Sequence, residues 1–430
     1  MSAPLYLGLD LGTSGVRCAV VDEAGAERAS AQIRYAAPAG TTADAGDWWS
    51  ATEACLDRLV QALRDAGLSP QDIRALAIDG TSGSMVLVDE AIQPVTPALM
   101  YHSAGFDTEA ARIAHHAEPG SITLGSNSAL ARMLRLQRHD EAGRARHLCH
   151  QADFIAARLM GQAGHSDDNN ALKTGFDPEN LLWPAWLAEA GVRTALLPEV
   201  HRVGSIIGKP TADICAHFGF SPDLAIRAGT TDSIAAFLAS GASEIGDAVT
   251  SLGTTLAIKL LSKHRIDDQS CGLYSHRLGE SWLVGGASNS GGGVLLDFFT
   301  PEQIAALSGQ IPADQSSGLD YYPLSRPGER FPVNDPHLEP RLSPRPASDV
   351  ALLHGMLEGI ARIEAEAYAA LMSLGAPAPN RIFTAGGGAQ NPVWTALRRR
   401  ILGREIVTAR SSDAAFGMAL LCREQALAGR

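Results

Sequence analysis

The sequence is poor in several features that mark whole protein classes. Charge is sparse, at 19% of residues, and leans negative: 47 Asp and Glu against 35 Lys and Arg give a net charge of −12. That balance argues against nucleic acid or an anionic membrane as a partner, since both draw basic faces. A small anionic ligand stays open, because local backbone amides can hold one. Only six cysteines occur (Cys18, Cys55, Cys149, Cys215, Cys271 and Cys422), scattered and without a CxxC pair. They read as reduced, mostly buried thiols of a cytoplasmic protein rather than as a disulfide framework. Histidine and cysteine supply no zinc set: His115–His116 and Cys149–His150 are adjacent pairs without further ligands at suitable spacing. No apolar run reaches the roughly 18 residues of a membrane span. The N-terminal stretch has no basic segment before an apolar one, and Asp10 interrupts its first apolar run, which argues against a signal peptide.

What is present is an ordinary globular composition, 45% apolar, over 430 residues. That length exceeds one ordinary core and predicts two domains. Residues 5–22 read as a β-hairpin turning at "GTSG". "WWSATEACLDRLVQALRDAG" reads as a helix, with Ser50 as N-cap and Gly67 just past its end. "IRALAIDGTSGSMVLVD" reads as strand, glycine-rich loop, strand, and the segment 121–160 as mostly helical. "AIRAGTTD" predicts a strand leading into the helix "SIAAFLASGA", and "GDAVTSLGTTLAIKLLS" a second hairpin of the opening type. Residues 309–347, rich in Pro, Gly, Asp and Ser, read as a long surface excursion. Leu353, Met356, Leu357, Ile360, Ala367, Tyr368 and Leu371 fall on helical spacing. "RIFTAGGGAQNPVWTALRRRIL" predicts strand, glycine turn and helix, with Asn391 as N-cap and Pro392 as the first helical residue.

Two of these stretches share a turn. "YLGLDLGTSG" and "SLGTTLAI" are apolar runs broken by Leu-Gly-Thr, but the first carries Asp10 where the second carries Ser251. A Gly-Thr-Ser-Gly turn offers amides and hydroxyls to a phosphate oxygen. Asp10 beside it suits a magnesium ion, which prefers carboxylate, water and phosphate oxygens, and Arg17 adds positive charge. The plainer reading is a hairpin turn with a capping Asp. Asp232 stands where a strand gives way to an apolar helix, so it either faces a site or caps the helix. Gly253, Thr254 and Thr255 offer donors without a carboxylate. The glycines of "TAGGGAQN" either admit a nucleotide close to the backbone or form a common loop. "IDGTSGSM" either shapes a pocket for a polyhydroxylated substrate or is a structural loop.

The order of these pieces resembles the FGGY carbohydrate kinases of the actin-like ATPase superfamily, over nearly the whole length. "GLDLGTSGVRCAVVD" and "TSLGTT" resemble that family's two phosphate motifs. "AGTTDSIAAFLASG" resembles the segment with its catalytic aspartate, and "AGGGAQNPVW" its adenosine motif. "YYPLSRPGERFPVNDP" is similar to its Gly-Glu-Arg stretch, here Gly328, Glu329 and Arg330. Within the family, "AIDGTSGSM", "PALMYHS" and "SDDNNALKTGFD" look most like the short D-ribulose kinase, or xylulokinase-like, group. The chain departs from many members by having Ser84-Met85-Val86 in place of Gln-Met-His, and Tyr101, His102 and Ser103 in place of a Trp followed by Asp and Arg.

The resemblance implies an α/β fold of two ribonuclease-H-like domains, residues 1–243 for sugar and phosphate and 244–430 for nucleotide, with a cleft between them. It implies an ATP-dependent, magnesium-using sugar kinase acting on a ketopentose, D-ribulose or else D-xylulose or another polyol; a non-catalytic sugar- or nucleotide-binding relic is the rival. Asp232 would be catalytic. Asp10, Thr13, Ser14, Gly15, Val16, Arg17, Ser82 and Ser84 would join it around the substrate, with Asp10 also serving the metal. Thr13, Arg17, Gly253, Thr254, Thr255, Asn289, Gly386, Gly387, Gly388 and Asn391 would hold ATP.

Overall fold

The structure, a computed structural model, describes residues 3–36 and 40–428. The chain forms two compact units, Met1–Ala239 with Asp413–Arg430, and Ser240–Ser412. The C-terminal helix Ala414–Ala428 therefore packs with the first unit, a return of the chain that a division into 1–243 and 244–430 does not contain.

The first unit is built on strands β1 (Leu5–Leu11), β2 (Gly15–Asp22), β3 (Glu27–Arg34), β4 (Ile73–Gly80), β5 (Ile206–Gly208) and β6 (Ala225–Thr231), ordered β5-β6-β4-β1-β2-β3. β1, β2 and β3 run antiparallel, while β4 is parallel to β1 and β6 to β4. All seven residues of β1 are buried, as expected for a strand covered on both faces. Leu5, Leu7, Leu9 and Leu11 share one core with Trp48, Leu56, Leu59 and Leu63 of the helix Ala45–Asp65. The alternate face, with Gly8 and Asp10, follows from strand pleating. There the C-terminal helix lies so close that a Cβ on Gly8 would sit 2.0 Å from the carbonyl oxygen of Ala415. The helix Ala45–Asp65 is capped by Asp44, which accepts from the Gly46 amide at 2.8 Å. Ser50, the sequence's candidate cap, lies within it, because the acid ahead of the tryptophans captures the first turn earlier. Gly67 does follow its end in the left-handed region, at φ 70°. Segment 121–160 holds the helices Ala129–His139 and Gln151–Met160, separated by the strand His147–His150.

The second unit carries β7 (Asp247–Leu252), β8 (Leu256–Ser262), β9 (Tyr274–Leu278), β10 (Ser281–Ser288), β11 (Arg381–Ala385) and β12 (Glu405–Thr408), ordered β9-β10-β8-β7-β11-β12. Stripped of one edge strand each, the two sheets read β3-β2-β1-β4-β6 and β10-β8-β7-β11-β12, the same order and the same directions. This is the duplicated ribonuclease-H-like α/β architecture. The long helix Asp349–Ser373 buries Leu353, Met356, Leu357, Ile360, Ala367, Tyr368 and Leu371, as their spacing predicts. Residues 309–347 are not wholly a surface excursion. Tyr321, Tyr322, Leu324 and Phe331 are buried: Gly355 and Gly359 clear the long helix for Tyr321 and Pro323, and Gly286 on β10 leaves room for Phe331. Among the described residues no helix is long and apolar enough to cross a membrane.

Candidate functional site

In the first unit, strand register gathers acids far apart in sequence. Asp10 on β1 stands opposite Arg17 on β2 and opposite Asp79 on β4. Asp79 in turn stands opposite Thr230 on β6, and Asp232 opens the helix Asp232–Ala239 directly after β6. Arg17 pairs with Asp10 at 3.1 Å. Burial raises the Asp10 carboxyl above its ordinary pKa; a hydrogen bond from Asp79 and the charge of Arg17 oppose this, and Asp232 and Asp413 add to it. Asp79 is completely buried and its carboxyl is pushed well above the ordinary range, first by burial and then by the charges of Asp10 and Asp232. Neither of its oxygens receives an N–H or hydroxyl donor. The arrangement is satisfied when Asp79 is protonated and donates to an ionised Asp10, two acids sharing one proton. Asp413 accepts from the Ala415 amide at 2.9 Å, capping the C-terminal helix. Asp232 accepts from the Ser233 amide, its immediate neighbour, at 2.7 Å.

The other first-unit residues singled out by sequence divide into two sets. Thr13 and Ser14 are exposed on the turn closed by the Gly12 amide to the Gly15 carbonyl at 2.9 Å. Gly15 is required there, since a Cβ would lie 2.1 Å from the Ile33 carbonyl oxygen. Val16, by contrast, is a core residue with no exposure. Ser84 is also fully buried. Its hydroxyl lies 2.6 Å from that of Thr81 and accepts from the Tyr101 amide, while Thr81 donates to Gln151 Oε1 at 2.7 Å. Ser82 Oγ, Thr231 Oγ1 and Gln151 Nε2 are buried without hydrogen-bond partners. Sequence reasoning passed over Asp79, Asp413 and Gln151. Asp79 carried the same signal as Asp10, a carboxylate at the end of an apolar strand before a glycine. Gln151 carried none, because only the fold brings its side chain to the Thr81 amide, at 3.0 Å.

In the second unit, a pocket of about 700 Å³ opens beside the second hairpin. Gly253, Thr254, Gly387, Gly388 and Asn391 line it, with Trp394 at its base. The Gly253 and Thr254 carbonyls accept from the Gly292 and Gly293 amides at 2.8 and 3.0 Å. Gly386 has φ 83°, and a Cβ there would lie 2.7 Å from the Leu252 carbonyl oxygen. Asn391 caps the helix Pro392–Leu402, as predicted, accepting from the Val393 and Trp394 amides. Thr255, Gly386 and Asn289 are not among the lining residues. The Asn289 amide donates to buried Glu329 at 2.6 Å and its Nδ2 to the Gly328 carbonyl at 2.9 Å. Its side chain thus secures the Gly-Glu-Arg stretch.

The N-terminal domain model of the FGGY family of carbohydrate kinases matches residues 5–239, and the C-terminal domain model matches residues 248–424. A xylulose kinase of Streptomyces rubiginosus is 26% identical, covering 95% of this chain and 85% of its own. A xyloylose kinase from Brucella ovis superposes with a TM-score of 0.85 at 23% identity, covering 99% of this chain and 91% of that one. The Plasmodium falciparum glycerol kinase with ADP gives 0.84 at 14% identity, covering 99% and 90%. Neighbours named for different acceptors superpose equally well, so the fold does not discriminate among them.

Proposed function

Since the chain belongs to the FGGY family of carbohydrate kinases, we propose that it transfers the γ-phosphoryl group of ATP to a primary hydroxyl of a ketopentose, O5 of D-ribulose. The observation that carries this reading is the register of Asp10 against Asp79 with Asp232 one residue beyond β6. The acids end adjacent strands beside unpartnered polar atoms of Ser82, Thr231 and Gln151. Buried polar groups without partners are rare and call for a ligand that satisfies them, and a polyhydroxylated sugar does so.

Asp232 takes the proton of the attacking hydroxyl as the new P–O bond forms and ADP departs. The exposed turn at Thr13 and Ser14, with Arg17, meets phosphoryl oxygens, and the pocket beside Gly253, Gly387, Gly388 and Asn391 takes the nucleoside. The acids also fit a magnesium ion: burial first, and then the charge of Asp232, raise the pKa of Asp10 and Asp79, and a hard cation favours such carboxylates. Asp10 would hold it, where it would neutralise phosphate charge. Val16, a core residue, contributes to the turn by its backbone alone.

D-xylulose is the second reading, favoured by the names of the curated relatives. Against it stands only the departure of Ser84-Met85-Val86 from the Gln-Met-His of many family members; the Ser84 hydroxyl is buried and already bonded. Recognition at C3, where the two sugars differ, then falls to Thr13, Ser14 and Ser82. A site built to bond a hydroxyl rejects its epimer by leaving its own polar groups unpaired. A coupled assay of kcat/KM for D-ribulose, D-xylulose, L-ribulose, ribitol and glycerol tests the reading. D-ribulose is expected to lead. A preference of about tenfold for D-xylulose or glycerol overturns the acceptor, and no turnover of any of them overturns the kinase reading in favour of a binding relic.

A further inference from the structure

Outside the main sheet, the first unit has a two-stranded parallel ladder, His165–Asp167 beside Glu199–His201. Its register pairs His165 with Glu199 and Asp167 with His201. Alternation along each strand therefore puts residues 165, 167, 199 and 201 on one face. Asp167 turns away to cap the helix Asp168–Leu172, accepting from the Asn169 and Asn170 amides at 2.9 Å. The other three converge. His165 Nδ1 lies 3.0 Å from His201 Nε2. Glu199 Oε2 lies 3.9 Å from His165 Nδ1, and Glu199 Oε1 lies 3.9 Å from His201 Nε2. Both imidazoles are largely buried, at 17% and 19% exposure, while Glu199 is open to solvent at 70%.

We propose that His165, Glu199 and His201 form a binding site for a divalent transition metal of the zinc class, separate from the Asp10 site. Two imidazole nitrogens at 2.0–2.1 Å from one tetrahedral ion stand about 3.3 Å apart. The observed 3.0 Å needs only a few tenths of an ångström of ring movement. Without metal, one neutral ring donates its N–H to the other's lone pair; when the ion binds, that proton moves to the donor ring's far nitrogen, so both near nitrogens ligate and each ring carries its one proton on the far side. The solvent-facing carboxylate closes the third position, and water fills the fourth. Imidazole selects zinc, nickel, copper or cobalt over magnesium and calcium, so this site and the carboxylate site take different ions. The spacing in sequence hid it, because the ligands lie on two strands and match no local metal motif. An ion here ties the ends of segment 168–198, which includes Asn169 and Asn170; their side chains bond Thr230 on β6 at 3.0 and 3.3 Å. The site is a clip on the flank of the candidate active centre.

The test uses the full chain, freed of metal by chelation and desalted, and titrated calorimetrically with Zn²⁺, Mg²⁺ and Ca²⁺. One Zn²⁺ per chain is expected, undisturbed by excess Mg²⁺, together with a higher Tm. Co²⁺ should give the visible absorption of a nitrogen-ligated ion. His201→Ala should weaken Zn²⁺ binding at least as much as the roughly 10–100-fold cost of losing an outer-shell partner, and abolish the Tm gain. Glu199→Gln, a change at an exposed residue that leaves folding intact, should weaken binding less. Kinase rate at saturating Mg²⁺ should be unchanged in both. No Zn²⁺ bound by the wild type, or equal binding by wild type and the His165→Ala/His201→Ala double variant, overturns the proposal.

Discussion

Where β1 sets Asp10 in register with Asp79 on β4, β7 sets Ser251 in register with Ala385 on β11. The strand order around these positions is the same, so the acids of the first unit are not a requirement of the fold. The second unit does bury charge, but in a closed set. Glu364 and Arg398 have no exposed side-chain surface and make two bonds, at 2.6 and 2.7 Å. Thr250 donates to Glu364, and Arg398 donates to Thr384. Burial works against the Arg398 guanidinium, yet the charge and hydrogen bonds of Glu364 raise its pKa overall. In the first unit Asp10 has Arg17 at 3.1 Å, while the buried oxygens of Asp79 beside it receive no N–H or hydroxyl donor. Buried charge with matched partners holds a core together. Buried charge without them costs stability and waits for a cation or substrate.

That contrast can be broken at four points. Asp232→Asn should lower kcat by about 10²–10⁴-fold, the usual contribution of a positioned base, with thermal unfolding unchanged. A variant keeping half of wild-type kcat would remove Asp232 from the chemistry. Glu364→Gln leaves the Arg398 charge buried and uncompensated, and should cost about 3–5 kcal/mol in urea unfolding. Per folded molecule, its kcat should stay at the wild-type level; a catalytic loss would mean that the closed set is not purely structural.

Asp10→Ser gives the first hairpin the residue of the second. We expect kcat to fall by about 10²-fold, the size of losing one preorganised charge-stabilising group, and the Mg²⁺ requirement to rise; unchanged magnesium titration would reduce Asp10 to a turn residue. Asp79→Asn should have the smallest effect and the opposite sign in stability. The folded pKa of Asp79 lies above its unfolded value near 4, so the native state holds the extra proton between the two. Its contribution to stability therefore falls as pH rises through that window. The amide keeps a donor for Asp10 without the charge, and should add roughly 0.5–2 kcal/mol at pH 7–8, with a flatter stability–pH profile. A variant less stable than wild type at pH 8 would contradict the shared-proton arrangement.

Much of this was legible in the chain. Apolar alternation around Gly-Thr turns gave both hairpins, helical spacing gave the long helix of the second unit, and Asn391-Pro392 gave a helix start, because each depends on neighbours a few residues away. Ser50 failed as a cap for the same reason in reverse: Asp44, a few residues earlier, starts the helix ahead of it by accepting from the Gly46 amide. The 309–347 segment misled because its composition is that of a loop, while burial of Tyr321 depends on glycines in the helix beyond it and burial of Phe331 on Gly286 of β10.

By itself the sequence determined which residues bear charge and which segments become strands and helices, since alternation, caps and turn chemistry act locally. Only the tertiary structure decided which charges meet. Asp10 finds Asp79 through parallel pairing, Gln151 reaches Thr81 across a helix start, and His165 meets His201 across a small ladder. Those contacts are fixed by strand register and by glycines that let elements approach, and register is a property of two segments that neither carries alone.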